Sequence, residues 1–236
     1  MKYSRGLVKK EREQIFKLFM QNTKLKFNEI EKALKIRSNM VSYHLEQMQK
    51  EGLIEKKDDY YYLTKEAEKY LPILPHVIGE GLSPLPVVLV AVINDGKILL
   101  MKRNRRPYKD YWSMIGGKML LEESFGQASK RIVEKKAKLN AEFVSINSVL
   151  HERVEGDEMV KHSFILFFTK MKTEKTEFRR SEYGDLRWFD LNEIDKLKII
   201  PSDLWLIKNK LDSTIDVKEA YMKEKDGELN SFDVWK

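Results

Sequence analysis

The sequence predicts an α+β protein of two domains, a helical domain followed by one in which strands flank helices. Apolar residues recur at helical spacing in the first third of the chain, and a proline-rich segment follows them. Beyond that segment, continuous apolar runs alternate with turn residues, which is typical of strands. We therefore expect a first domain at 1–71, a linker at 72–86, a second domain at 87–211 and a C-terminal extension at 212–236.

The first domain is expected to contain three helices followed by a hairpin. In the third helix Val41, Leu45 and Met48 recur at i, i+4 and i+7, and Gly52 ends it. The predicted elements are a helix ending near Gln21, a second from the N-cap Asn28 (capping box with Glu31) to about Lys35, a third from Ser38 to about Lys50, two strands in 53–63 around an Asp-Asp turn, and a helix from Thr64 to about Tyr70.

The linker is predicted from proline density. Four of the six prolines lie between Leu71 and Pro86, together with two glycines. Residues of these types at this density cannot continue a helix or a central strand, so the domain boundary is expected here.

The second domain opens with a β-hairpin pattern. Val87–Ile93 is an apolar run, an Asn-Asp-Gly turn follows, and Ile98–Met101 is a second run. A helix from Ser124 to about Lys138 carries a capping box of Ser124 and Gln127. The later elements are predicted as strands at 143–149, 163–169 and 186–189 and as helices at 191–197 and 202–211.

Composition excludes several classes of protein. The chain has no cysteine, so disulfides, thiolate metal sites and cysteine nucleophiles are excluded. No apolar run approaches the roughly 20 residues that cross a bilayer, and the N-terminus has no apolar signal core. We therefore expect a cytoplasmic protein with no membrane partner and no cofactor.

The positive charge is concentrated at the N-terminus. Of the 44 Lys and Arg residues, 12 lie in residues 1–50, together with only 5 of the 37 Asp and Glu residues. The remaining residues carry equal numbers of both signs, so the first fifth of the chain holds the whole formal charge of +7. This asymmetry favours a polyanionic partner for the first domain, although a merely basic, soluble surface is the alternative.

The segment from Met40 to Glu55, with Tyr62-Leu-Thr64 after the turn, resembles the recognition helix and wing of the ArsR/MarR-like winged helix-turn-helix regulators. The resemblance covers most of residues 5–70 and implies binding to double-stranded DNA as a homodimer that reads two half-sites. A protein-interaction module is the alternative. The dimer contact is expected from the first helix, the linker or the C-terminal extension. The expected DNA-binding residues are Arg37, Asn39, Ser42, Tyr43, Lys50, Lys56 and Lys57.

The second domain resembles the Nudix family. Gly117, then Glu123 after five intervening residues and Arg131 after seven more, follow the family signature, and Trp112-Ser-Met-Ile-Gly-Gly117 is similar to the segment that precedes it. With the opening hairpin and the Arg187-Trp-Phe-Asp190 strand, the similarity spans residues 86–211. It implies a Nudix-like α/β/α sandwich with a mixed sheet.

The signature is degenerate where the family binds metal. Two adjacent glutamates hold Mg²⁺ or Mn²⁺ in the family, whereas Lys135 and Lys136 occupy these positions here. Ammonium groups cannot coordinate a hard divalent ion. We therefore expect neither a metal site nor catalytic residues, and no diphosphatase activity. Glu122 and Glu123 leave a weak, relocated metal site as the alternative.

A lost metal site does not remove the pocket. The two lysines are expected to bind the phosphates of a nucleotide or nucleotide-sugar effector directly, with Tyr108 or Trp112 as a stacking face. The alternatives are a solvated lysine face and aromatic rings that belong to the core. The expected phosphate-binding residues are Arg103, Arg105, Arg106, Lys118, Lys135 and Lys136.

These expectations combine into one functional hypothesis. The chain is expected to be a DNA-binding transcriptional regulator whose degenerate Nudix-like domain senses a nucleotide or nucleotide-sugar. The alternatives are an active or residual Nudix diphosphatase recruited by its winged helix, and a ligand-free dimerisation scaffold. Regulators with a Nudix-like sensor often have that domain first, and the reversed order here gives no basis for transferring their ligands.

Overall fold

The computed structural model describes residues 9–71, 83–179, 181–225 and 228–235. The chain folds as two units, residues 1–83 and 84–236. Their boundary lies within the segment expected to link two domains, most of which (72–82) is outside the described residues. No helix in the described part of the chain is long and apolar enough to cross a membrane.

The first unit packs helices against a small antiparallel sheet. Its sheet has the strand order β1-β3-β2, and the predicted strand pair around the Asp-Asp turn is confirmed. Phe16, Ile30, Leu45 and Met48 are fully or almost fully buried in a single core. The elements are α1 Lys10–Leu18, β1 Leu25–Lys26, α2 Phe27–Leu34, α3 Ser38–Lys50, β2 Ile54–Lys57, β3 Tyr60–Leu63 and α4 Lys65–Glu68.

The predicted start of α2 is wrong by two residues. The helix begins at Phe27, and Glu29 Oε2 accepts a hydrogen bond from the Lys26 backbone N–H (2.6 Å) where we expected Asn28 and Glu31 to cap it. The cause is the unpredicted strand β1. Because Leu25 and Lys26 pair with β3, the chain enters the helix directly from the sheet.

The second unit is a mixed sheet with a helix on each face. Its strand order is β10-β5-β4-β9-β8, with short β6 and β7 paired to β5 and β4. Among the strands of this sheet in the described residues, β4 and β9 pair in parallel and the other pairs are antiparallel. The elements are β4 Leu85–Asn94, β5 Lys97–Arg103, β6 Trp112–Ser113, β7 Ile115–Gly117, α5 Phe125–Ala137, β8 Glu142–Glu155, β9 Val160–Lys172, β10 Gly184–Asp190, α6 Pro201–Lys210, β11 Glu219–Lys225 and β12 Glu228–Trp235.

Alternation along β4 builds a separate core on each face of this sheet. Val88, Val90 and Val92 pack in the cluster that contains the apolar face of α5, whereas Leu89 and Ala91 pack in the cluster that contains α6. The predicted capping box of α5 is confirmed, since Ser124 and Gln127 exchange side-chain and backbone hydrogen bonds of 2.9 and 3.1 Å. The α/β/α sandwich with a mixed sheet is thereby confirmed.

The helix predicted at 191–197 is only a 3₁₀ turn, Ile194–Lys196. The chain turns extended immediately afterwards because it pairs with β6: Trp112 N–H donates to the Lys198 carbonyl (2.8 Å) and Ile200 N–H to the Trp112 carbonyl (3.0 Å). Pro201 then starts α6, and a residue that precedes proline favours an extended conformation.

Candidate functional site

The outward face of α3 is the first candidate surface. Val41, Leu45 and Met48 are buried, so the residues between them on the other side of the helix are left in solvent. Asn39 and Tyr43 are exposed near the N-terminus of the helix, where a recognition helix contacts base edges. Of the other predicted DNA-binding residues at this helix, Arg37 and Lys50 are exposed and Ser42 is partly exposed.

His44 lies behind this surface rather than on it. The imidazole is 2% exposed, meets the Tyr43 ring edge-on at 5.3 Å and has Nε2 4.0 Å from Glu11 Oε2. Burial, more than any neighbouring charge, lowers the pKa of His44. A neutral, packed ring is consistent with a structural role in holding α3 against α1.

The hairpin of β2 and β3, called the wing below, presents lysines whose ammonium groups lie near tyrosine rings. Lys56 and Lys57 are exposed, as predicted for phosphate contacts, with their ammonium groups 5.6 and 5.8 Å from the ring centres of Tyr61 and Tyr62. Lys57 is also paired with Glu55 (2.6 Å), and this hydrogen bond raises the pKa of Lys57. A phosphate would therefore have to compete with Glu55 for Lys57, while no ion pair involves Lys56 among the described residues.

Two further lysines belong to this surface and were not predicted. Lys24 and Lys26 are exposed and place their ammonium groups 4.4 and 5.0 Å from the centre of the Tyr60 ring. They reach the wing because β1 pairs with β3. A strand of two residues leaves no periodic pattern in the sequence, so only the local Lys-Leu-Lys alternation could have indicated it.

A cavity of about 400 Å³ in the second unit is the second candidate site. Strands β4, β8 and β9, the loop that follows β5 and the start of α6 enclose it. Its walls are mostly apolar and its ionisable groups lie at a few points. The apolar lining is Leu85, Val87, Leu89, Pro107, Tyr108, Met114, Phe164, Leu166 and Ile200, and the polar lining is Arg103, Ser113, Gly116, Gly117, Lys118, Lys136, Glu152, His162, Ser202 and Asp203.

Lys136 supplies the cavity with a partly buried cation. Its Nζ donates to the Gly116 carbonyl. Burial, helped by the charges of Arg103 and Lys135, lowers the pKa of Lys136 to about 8. Arg103 lies beside it and is held by a 3.0 Å hydrogen bond from Nε to the Pro107 carbonyl, and Lys118 is an exposed member of the lining. An ammonium group in a low-dielectric pocket gains most by meeting an anion.

Carboxyl groups also line the cavity. Asp203 is almost completely buried and accepts a 2.7 Å hydrogen bond from Met114 N–H, and burial raises its pKa to about 7. Glu152 accepts a 3.3 Å hydrogen bond from the Tyr108 hydroxyl, whose pKa rises to about 12, chiefly through burial. Ser202 Oγ is buried with no hydrogen-bond partner in the described part of the chain. These groups leave acceptors and a hydroxyl available to a ligand.

The remaining signature residues hold the loop before α5. Arg131 makes a two-point ion pair with Glu123, with 2.7 Å between Nη2 and Oε2, and also donates to the Lys118 carbonyl (2.9 Å). This pairing lowers the pKa of Glu123. Gly117 faces α5 so closely that a β-carbon there would lie 3.0 Å from Ile132. Their placement indicates a structural role for Gly117, Glu123 and Arg131.

The residues do not fit the divalent ion that the Nudix resemblance implies. No group of three or more His, Asp and Glu side chains suited to a metal occurs among the described residues. Glu123 is engaged by Arg131, and the Lys136 ammonium binds the Gly116 carbonyl at the position of a signature glutamate. A second positive charge there would be repelled by Lys136 and Arg103.

The cavity brings together three of the six predicted phosphate-binding residues. Arg103, Lys118 and Lys136 line it, whereas Arg105, Arg106 and Lys135 are exposed outside the lining. Arg105 and Lys135 approach the Tyr183 ring, at 5.7 and 6.0 Å from its centre, and the Lys136 ammonium is 5.3 Å from the same centre. The two lysines thus lie near the same ring, and they differ in that only Lys136 of the pair lines the cavity.

Of the two proposed stacking rings, only Tyr108 lines the cavity. Trp112 packs edge-on against Phe189, with 4.7 Å between ring centres, and this contact belongs to the core below α6. Asp203, Glu152, His162 and Ser202 were not predicted. Ser202 and Asp203 are neighbours at the start of α6, whereas Glu152 and His162 lie on β8 and β9, and no local pattern in the sequence marks any of the four as part of a site.

Comparisons with known proteins agree with the two units. The NUDIX domain model matches residues 83–208, more than half of the chain, and the model for bacterial regulatory proteins of the arsR family matches residues 9–56. No curated protein sequence matches the chain.

Similar solved structures include a mutator MutT protein from Bacillus halodurans, with 22% identity over 63% of this chain and 96% of that one (TM-score 0.48). A MutT NUDIX hydrolase from Burkholderia pseudomallei has 22% identity over 54% and 98% (TM-score 0.48). The NUDIX domain of Shewanella oneidensis NrtR, solved in complex with ADP ribose, has 16% identity over 62% and 96% (TM-score 0.48). From the domain match, the chain belongs to the Nudix family, with an ArsR-family helix-turn-helix domain ahead of its Nudix domain.

Proposed function

We propose that this protein is a DNA-binding transcriptional regulator whose Nudix cavity binds a nucleotide or nucleotide-sugar effector without hydrolysing it. The observation that carries the proposal is the outward face of α3. It exposes hydrogen-bonding side chains at the helix N-terminus, in the fifth of the chain that holds all of the excess positive charge.

The roles of the DNA-binding residues follow from their chemistry. The Asn39 amide and the Ser42 and Tyr43 hydroxyls can donate to and accept from base edges in the major groove. Cations around them bind phosphates, which fixes the position of the helix on the duplex but carries no sequence information. We assign the phosphate contacts to Arg37, Lys50, Lys56 and Lys57, and add Lys24 and Lys26.

The cavity supports binding of a phosphorylated ligand. Lys136, Arg103 and Lys118 provide positive charge, while the apolar walls accept a flat or sugar-like group beside the acceptors Asp203 and Glu152. Because the ammonium of Lys136 replaces a carboxylate–metal pair, the same ligand class that a metal would bridge is bound by direct ion pairing. The chain then lacks the activated water that hydrolysis needs.

The proposal is tested by fluorescence anisotropy of the full-length protein on the DNA upstream of its own coding sequence. We expect tighter binding than to a scrambled duplex, and an affinity that falls steeply as salt rises from 50 to 200 mM, about 0.9 logarithmic units per phosphate contact per tenfold salt. Equal affinity for both duplexes across tiled upstream fragments would contradict a sequence-reading regulator.

The ligand is tested by calorimetry with ADP-ribose, the molecule crystallised with the NrtR domain, and with pyrophosphate, each with Mg²⁺ and with EDTA. We expect binding that EDTA does not weaken and no release of products from ADP-ribose. Mg²⁺-dependent turnover would instead establish a hydrolase, and the absence of binding by any nucleotide or nucleotide-sugar would establish a ligand-free scaffold.

A further inference from the structure

The C-terminal hairpin of β11 and β12 exposes an apolar face. Among the described residues these strands form a sheet of two, paired only with each other. The register places Ala220 opposite Val234, Met222 opposite Phe232 and, after a bulge, Glu224 opposite Leu229. Opposed residues of an antiparallel pair lie on the same face, so this face is apolar except for Glu224.

All five apolar side chains of this face are exposed, with Phe232 63% and Leu229 68% accessible. We call Ala220, Met222, Leu229, Phe232 and Val234 the hairpin face. On the opposite face, which carries Tyr221 opposite Asp233, Glu219 accepts a 2.8 Å hydrogen bond from Phe125 N–H at the start of α5. The hairpin is thus attached through Glu219 on the opposite face and presents the hairpin face to solvent.

This arrangement is unfavourable for a single copy. A hairpin of two strands is marginal in water unless further strands or a helix cover its apolar side. The C-terminal strands nevertheless form seven residue pairs, interrupted by one bulge, with side chains of Met, Leu, Phe and Val in water. An apolar surface of this extent marks an interaction site.

We infer that the hairpin face is the surface through which two copies of this chain associate. A face on one hairpin stacks on the same face of a second copy about a twofold axis, because a twofold interface joins identical patches. The result is a four-stranded sandwich with one shared apolar layer. In this sandwich each hairpin covers the apolar side of the other, which supplies the packing that a hairpin of two strands needs for stability.

The area of the hairpin face fits a second copy. With about 200 Å² for a fully exposed large side chain, the five residues expose roughly 450 Å² per copy. Two copies bury about 900 Å² from these side chains alone, close to the roughly 1,000 Å² that a specific interface requires, and the surrounding polar residues supply the remainder. The inference does not depend on DNA binding, although a dimer provides the two DNA-binding domains that a pair of half-sites requires.

The test is the mass of the full-length protein in solution, measured by sedimentation velocity at protein concentrations from about 1 to about 100 μM. We expect twice the chain mass of 28.0 kDa for the wild type. Phe232→Lys should raise the dimer dissociation constant by about 100-fold or more, because a charge is placed in the buried layer of both copies. Asp233→Lys, the neighbouring position on the opposite face, should leave the dimer intact.

A second measurement covers failure of the Phe232 variant to fold. The chain has no cysteine, so Met222→Cys introduces a single thiol in the middle of the hairpin face, where a twofold axis brings identical residues together, and Lys223→Cys introduces one on the other face. Under mild oxidation the first should form covalent dimers and the second should not. A monomeric wild type, a dimer that survives Phe232→Lys in the folded protein, or equal cross-linking at both positions would overturn the inference. None of these outcomes bears on whether the cavity binds a nucleotide.

Discussion

Replacing Lys136 with methionine is the most informative change in the cavity. The substitution keeps the length and much of the volume of the side chain but removes its charge and its hydrogen bond to the Gly116 carbonyl. If the Lys136 ammonium binds ligand phosphate directly, ligand affinity must fall. Because the Gly116 carbonyl loses a donor, the melting temperature must be measured alongside the affinity.

The expected magnitude follows from the environment of the ammonium group. A hydrogen bond to a charged group contributes about 1.5–3 kcal/mol, so Lys136→Met should weaken ADP-ribose binding about 10- to 150-fold. With a pKa of about 8, the free protein carries the charge on about nine in ten molecules at pH 7 and about one in ten at pH 9. Wild-type affinity should therefore fall about tenfold over this range.

The assay is isothermal titration calorimetry with ADP-ribose at pH 7, 8 and 9, in EDTA. The diphosphate of this ligand keeps its charge throughout, so the pH dependence reports on the protein. Lys135→Met is the matched control, since Lys135 is exposed and outside the cavity. Loss of the Lys135 charge should change the affinity for ADP-ribose at pH 7 by no more than about threefold. It should also move the midpoint of the pH dependence of that affinity upward, because the Lys135 charge lowers the pKa of Lys136.

The reasoning would be refuted by a folded Lys136→Met protein that binds ADP-ribose as tightly as the wild type. A wild-type affinity that does not change between pH 7 and pH 9 would refute it equally, since the ammonium would then have no part in binding. Equal losses in the Lys135 and Lys136 variants would show that general surface charge, and not the cavity, attracts the ligand.

Three further predictions follow from the described contacts. Asn39→Ala should cost about 1–3 kcal/mol on the specific duplex and nothing on a scrambled one, whereas Lys56→Met should weaken both equally and reduce the salt slope by about 1; anisotropy separates these patterns. Glu123→Gln should lower the free energy of unfolding by about 1 kcal/mol at pH 7. Since the Arg131 pairing lowers the pKa of Glu123, urea titrations should show this difference shrinking as the pH falls below about 4; a difference that persists there would exclude the ion pair as its cause. Burial raises the pKa of Asp203 to about 7, so the contribution of this carboxyl to stability should fall as the pH rises from about 4 to 7; calorimetry should therefore show the stability of the wild type declining relative to that of Asp203→Asn over this range, and a constant difference between the two would mean that the carboxyl does not titrate there.

The sequence predicts elements well where local chemistry decides them. The third helix of the first unit ends where Gly52 was expected to stop it, and the Ser124–Gln127 capping box starts α5 as predicted. Caps and apolar spacing act over a few residues, so they are visible in the sequence. Elements set by distant partners are not: β1 exists because it pairs with β3, about 35 residues later.

The cavity shows the same division. Comparison with the family signature reveals from the sequence alone that lysines replace glutamates at positions 135 and 136. The structure is needed to show that Lys136 lines the cavity and Lys135 does not. Asp203 comes from α6 and Glu152 from β8, far from the signature in sequence. The two meet at the cavity through the packing of the sheet, which no local pattern encodes. The C-terminal hairpin was also not predicted, although its sequence carries a local signal: apolar and polar residues alternate on both sides of Asp226-Gly227, a dipeptide that favours a hairpin turn.

The central claim is that the Nudix cavity controls a DNA-binding unit, and the most direct test is the effect of ADP-ribose on DNA affinity. Anisotropy on the upstream duplex should be measured with and without saturating ADP-ribose, for the wild type and for Lys136→Met. The proposal predicts that ligand changes the wild-type dissociation constant by at least about fivefold, in the range of ordinary coupling between sites, and that Lys136→Met loses the effect at the same ligand concentration. An unchanged DNA affinity in ligand-saturated wild type would contradict it.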